Sequence, residues 1–196
     1  WQLAFYKLCA LAYVVNELDY DYYSFIDSDI FVQSSFENIW KEANFNILLY
    51  NLHEPISGYM VVEMREYLNS NQYFSHFGGE FFAASRSLAR RFVDSCYDVF
   101  TQMNNDSYFT QSGDEFITSI VAYNLKESIK DANAYVRRYW TGSYRMVTSD
   151  YKSNQLAILH LPAEKEYGIV KLFNRFISEG KVPDRSVVWR VCNLKR

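Results

Sequence analysis

Asp27 and Asp29 flank a single serine and lie between two apolar runs, Phe25-Ile26 and Ile30-Phe31-Val32. Carboxylates set into such a segment are costly unless something compensates their charge. Strand alternation aims residues i and i+2 at the same side. Two oxygen ligands on one side suit Mg²⁺ or Mn²⁺, which complete their shells with water and phosphate. The alternative is a pair of acids capping a turn at a strand end. Gly78-Gly79-Glu80 offers a second feature, because residues without side chains let a ligand approach the backbone closely. An ordinary glycine turn explains the same residues.

Asp114 and Glu115 stand at an expected helix start. Acids there complement the helix dipole, and Glu115 can complete a capping box with Ser112. Asp114 is less needed for capping and is the better functional candidate. His160 follows the apolar run from Leu156 and precedes Leu161, a place where a histidine is either a core residue or a metal ligand. Lys165, one turn into the next expected helix, is a surface lysine or a partner for phosphate charge. His53 and His76 show no comparable partner pattern. No GxSxG, GxGxxG, Walker loop or HExxH is present, which disfavours the common hydrolase, dinucleotide, NTPase and zinc-protease chemistries.

The elements that must position these residues are legible in outline. Trp1–Leu18 predicts a helix, apolar on nearly every face, and Asp19–Tyr23 a polar turn. Ser24–Val32 predicts a buried strand that stops at the two aspartates and resumes. Ser34-Ser35-Phe36-Glu37 has capping-box spacing and opens a short helix through Ala43. Asn46–Asn51 and Gly78–Ala84 predict strands, and the stretch up to Asn71 is a helix or a loop. Leu88, Ala89, Phe92, Val93, Cys96, Tyr97 and Phe100 recur at spacings of three and four, an amphipathic helix capped by Ser85. Phe116–Ile129 predicts a helix, Arg137–Tyr151 strands, and Leu156–Leu161 a strand. Pro162 then suits the first turn of a helix through Ile177. Helices alternating with short apolar strands predict an α/β domain with a mainly parallel central sheet flanked by helices. No repeat or linker divides residues 1–196, which read as one domain.

Composition bounds the function. With 196 residues, 49% hydrophobic and 22% charged, the chain can bury a sizeable core and is not disordered. A formal net charge of −3 argues against a dedicated nucleic-acid binder. Cys9, Cys96 and Cys192 are far apart and exclude a cysteine-built zinc site, leaving free thiols as the simplest reading. The aromatic share of 18% supplies flat rings for a core or for stacking on sugars and bases. Asn105-Asp106-Ser107 is a lone glycosylation triplet. Trp1–Val15 is apolar, but Lys7 interrupts it and it falls short of the roughly 20 residues of a membrane span. It therefore predicts neither a membrane span nor a signal peptide.

These residues, in this order, resemble the metal-dependent nucleotide-sugar glycosyltransferases of the GT-A fold, and most of all glycosyltransferase family 8. The resemblance covers roughly Trp1 to Lys165. It implies that Asp27 and Asp29 are the Asp-x-Asp pair and, with His160, hold Mn²⁺ or Mg²⁺ against a sugar diphosphate. Gly78, Gly79 and Glu80 would face donor sugar and acceptor, Ser28 and Lys165 would contact the substrate, and Asp114, Glu115 and Glu80 would be the catalytic candidates. The implied partners are a nucleotide-sugar donor, a uridine diphosphate sugar first, and a saccharide or glycoconjugate acceptor. The histidine pattern leans towards retention of anomeric configuration. Lys165 is one residue closer to the histidine than in the family pattern, and Ala163 and Glu166 replace a glycine and a proline. The fold opens with a strand–helix–strand unit for the nucleotide that is not found ahead of Trp1, so the chain is expected to be a piece of a longer protein. Ile26-Asp27-Ser28-Asp29 also fits the opening motif of haloacid-dehalogenase phosphohydrolases. There, however, Thr or Val usually stands where this chain has Phe31, and Gly113-Asp114-Glu115 is a poor match for the downstream acidic pair. A non-catalytic binding module on the same fold is a third reading.

Overall fold

The computed structural model describes residues 5–141, 156–192 and 194. They form two compact units, one from Trp1–Phe25 and Asn38–Ala132, the other from Ile26–Glu37 and Asn133–Arg196.

The first unit is built around a sheet of four strands in the order β1-β4-β3-β5. These are β1 (Tyr22–Ile26), β3 (Ile47–Asn51), β4 (Phe77–Ser85) and β5 (Ile129–Asp131). All of β3 and nearly all of β4 are buried, as near-continuous apolar runs require when a strand is covered on both faces. β3 pairs antiparallel with β4, placing Leu49 opposite Phe82, and parallel with β5. Helices α1 (Tyr6–Glu17), α3 (Tyr59–Tyr67), α4 (Arg86–Asn105) and α5 (Gly113–Asn124) belong to this unit, with the short α2 (Asn38–Ala43). On α1 only Leu8, Leu11 and Val15 are buried, a single stripe, while Tyr6 and Tyr13 face solvent. The helix is therefore amphipathic rather than buried on every face; its Trp1–Ala4 portion lies outside the described residues. On α4 the buried positions Ala89, Phe92, Val93, Cys96 and Met103 keep helical spacing. Phe82, Phe92, Phe116 and Met64 meet in this unit's core.

The second unit holds a sheet of three strands in the order β2-β7-β6: β2 (Ile30–Val32), β6 (Val136–Arg138) and β7 (Ile158–His160). β2 runs antiparallel to β7 and β6 runs parallel to it. Pro162–Glu164 forms a single 3-10 turn, followed by α6 (Gly168–Glu179) and α7 (Arg185–Val191). Leu159, Leu161, Leu172, Val188 and Cys192 form the core here.

The class is α/β, with mixed sheets flanked by helices. The expected mainly parallel sheet gives way to one parallel and one antiparallel pairing around each of β3 and β7. Alternating helices and strands suggest parallel crossovers, but α3 leads β3 back into an antiparallel neighbour. The strand expected over Ser24–Val32 is two strands in different sheets, β1 and β2, broken at the aspartates. The helix expected from Pro162 starts only at Gly168, and that expected from Phe116 starts at Gly113. Of the strands expected over Arg137–Tyr151, β6 is present, and residues 142–151 lie outside the described residues.

Candidate functional site

The turn between β1 and β2 carries Asp27, Ser28 and Asp29. The antiparallel register sets Ile30 opposite His160, and Leu161 N–H donates to the Asp29 carbonyl at 2.9 Å. That pairing delivers the end of β7 to the turn. His160 Nε2 lies 3.2 Å from Asp29 Oδ1 and 3.9 Å from Asp27 Oδ2. One ligand atom from each of the three residues falls within 4.8 Å of the others. Lys165 Nζ stands 3.1 Å from Asp29 Oδ2. Ser28 is exposed beside them.

The electrostatics follow from burial. Asp29 is only 2% exposed. Desolvation works to raise its carboxyl, but the opposing pull of His160 and Lys165, with a backbone hydrogen bond, holds it below the ordinary aspartate value. Asp29 Oδ1 is buried and accepts no hydrogen bond, although His160 is its close neighbour. A buried carboxylate oxygen without a hydrogen-bond donor is what a cation-binding site leaves exposed to its ion. Two carboxylates with an imidazole form a mixed oxygen and nitrogen donor set of the kind that holds divalent metal ions. Ligands held about 2.0–2.1 Å from a small divalent ion sit about 3–4 Å from one another, and the two histidine–carboxylate separations, 3.2 and 3.9 Å, fall in that range. Asp27, Asp29 and His160 thus form a group that could hold a metal ion.

The other sequence candidates gather in the first unit. Gly78 and Gly79 are buried in β4 rather than in a turn. Lys7 Nζ donates to the Gly79 carbonyl at 2.8 Å and pairs with Asp114 Oδ2 at 3.0 Å. A Cβ at Gly79 would overlap Asp114 Oδ2 and stand 3.0 Å from Lys7 Nζ, so a larger residue here makes those side-chain ends shift. Burial pushes the Asp114 carboxyl above its ordinary value; the Lys7 ammonium opposes this and the neighbouring Glu115 charge adds to it. Glu80 is wholly buried, so its carboxyl meets no solvent in this conformation.

Glu115 does not complete a capping box. Ser112 takes up helical rather than extended angles, and its hydroxyl donates to Glu63 Oε2 at 2.9 Å. An N-cap needs the extended backbone that Ser112 lacks. Glu115 Oε2 instead lies 2.9 Å from Nε2 of His76, whose Nδ1 is 3.1 Å from Glu54 Oε1. Glu115 Oε1 is 3.5 Å from Gly79 N–H. No local spacing in the sequence marks His76, Glu54 or Lys7, because their partners lie in distant segments.

Among the described residues, no helix is long and apolar enough to cross a membrane. In comparisons with known proteins, no family model and no characterised protein matches the chain.

Proposed function

We propose that this chain is the catalytic region of a metal-dependent glycosyltransferase with a GT-A-like fold. It would move a sugar from a nucleoside diphosphate sugar, a uridine diphosphate sugar first, to a hydroxyl on a saccharide or glycoconjugate. The observation that carries the reading is the convergence of Asp27, Asp29 and His160, with Lys165 beside them. Three ligands and an adjacent cation suit a divalent ion paired with a polyphosphate better than they suit a structural ion, which would be closed by protein on all sides. A bound Mn²⁺ or Mg²⁺ would supply charge stabilisation to the departing nucleoside diphosphate.

The chain's own residues do the rest. Asp27, Asp29 and His160 hold the ion, and Lys165 offers its ammonium to phosphate oxygens. Asp114 and Glu115 offer carboxylates to sugar hydroxyls, and the burial that raises Asp114 favours an acid able to hold a proton. Glu80, wholly buried in β4, is the third acid of the proposed set. Retention of configuration is the expected outcome.

The test is a screen of nucleotide sugars that follows nucleoside diphosphate release with Mn²⁺ and with EDTA. Metal-dependent release that Asp29→Ala abolishes supports the reading. Release of inorganic phosphate from simple esters, or donor cleavage indifferent to EDTA, overturns it.

A further inference from the structure

His76 is 1% exposed, yet both of its ring nitrogens face carboxylates. His76 Nε2 and Glu115 Oε2 lie at hydrogen-bond distance, 2.9 Å, the ring tautomer setting which nitrogen carries the proton. Across the ring, Glu54 Oε1 approaches Nδ1 at 3.1 Å, while Nδ1 and the buried Glu54 Oε2 lack any hydrogen bond of good geometry. The Tyr59 ring packs edge-on against the imidazole, with centroids 5.7 Å apart. The Glu54 side chain lies against Gly58, where an added Cβ would stand 2.5 Å from Glu54 Oε2.

Burying this many polar atoms costs more than an apolar side chain would. We propose that His76 is a positioning residue for Glu115, a clamp that Glu54 braces from behind. The inference rests on the reading of Glu115 as an acid that acts on the sugar substrate. With Oε2 tied to His76 and Oε1 turned to the Gly79 N–H, the Glu115 carboxylate has one orientation instead of several. A side chain about 1 Å out of place can cost about 100-fold in rate, which makes the clamp worth its burial.

Glutamine places an amide nitrogen near where His Nε2 lies, whereas asparagine is too short to reach. His76→Asn should therefore lower kcat for donor turnover about 100-fold while the donor KM moves less than about threefold. His76→Gln should recover at least about a tenth of the wild-type rate. In an E115Q background, H76N should cost nothing further. Retained kcat in H76N overturns the clamp, and so does equal loss in H76N and H76Q, which would make His76 a packing residue only. If the wild-type chain turns over no nucleotide sugar, the glycosyltransferase reading fails by itself. The clamp is then decided by denaturant unfolding of wild type, H76N, E115A and the double variant. Non-additivity of about fivefold or more in the unfolding constant upholds a directed His76–Glu115 interaction, and additivity overturns it.

Discussion

His160 Nε2 sits 3.2 Å from Asp29 Oδ1 because the antiparallel pairing of β2 with β7 places Ile30 across from His160. The two residues are far apart in the chain, and no local spacing obliges them to meet. One register does. A slip of a single residue would turn the imidazole to the opposite face of the sheet.

The proposed metal site makes a direct prediction. Titrated with Mn²⁺ and read by the loss of free-ion paramagnetic signal, Asp29→Ala should bind about 100-fold more weakly than wild type, since it removes the most buried charge in the cluster. His160→Ala should weaken binding about 10- to 100-fold. Wild-type affinity in both variants would show that the three residues do not share an ion.

Acid stability should report Asp29. Its folded carboxyl lies below the ordinary value, so the folded state favours the charged form more than the unfolded state does. The stabilisation is full above the unfolded value of about 3.9 and is lost as pH falls through the folded one. In EDTA, the difference in unfolding free energy between wild type and Asp29→Asn should therefore shrink steadily from pH 5 to pH 2. A pH-independent difference would contradict the assignment of the depressed carboxyl to Asp29.

Gly79→Ala should destabilise the protein by about 1–3 kcal/mol, because the new methyl displaces the Lys7–Asp114 pair from a packed site. Gly180 caps α6 at φ +65 with open space around it. Its alanine variant should lose about 1–2 kcal/mol from backbone strain alone. Chemical denaturation measures both. Combining G79A with D114A should cost less than the sum of the two single losses, whereas combining G180A with D114A should be additive.

Thiol reactivity distinguishes the cysteines. Cys9 is exposed, whereas Cys96 and Cys192 are buried. Burial, with the Glu164 charge nearby, pushes the Cys192 thiol up to about 12, and burial alone raises Cys96. At pH 8 an aromatic disulfide reagent should modify Cys9 within minutes and the other two only after denaturation. Rapid reaction of a Cys9→Ser variant would contradict this burial.

The sequence by itself determined what was local. Helical spacing in α4, the apolar runs of β3 and β4, and the break at Asp27-Ser28-Asp29 are all legible there, since each depends on neighbours within a turn or a strand. So was the candidacy of Asp27, Asp29 and His160, because acids and a histidine beside apolar runs stand out by type. Only the tertiary structure decided the partners. It paired β3 with an antiparallel β4, turned Ser112 away from its cap to Glu63, and set His76 between Glu54 and Glu115. Strand direction depends on where the chain returns after each helix, and a buried ion pair depends on two segments meeting. Neither quantity is written in the spacing of residues along one segment.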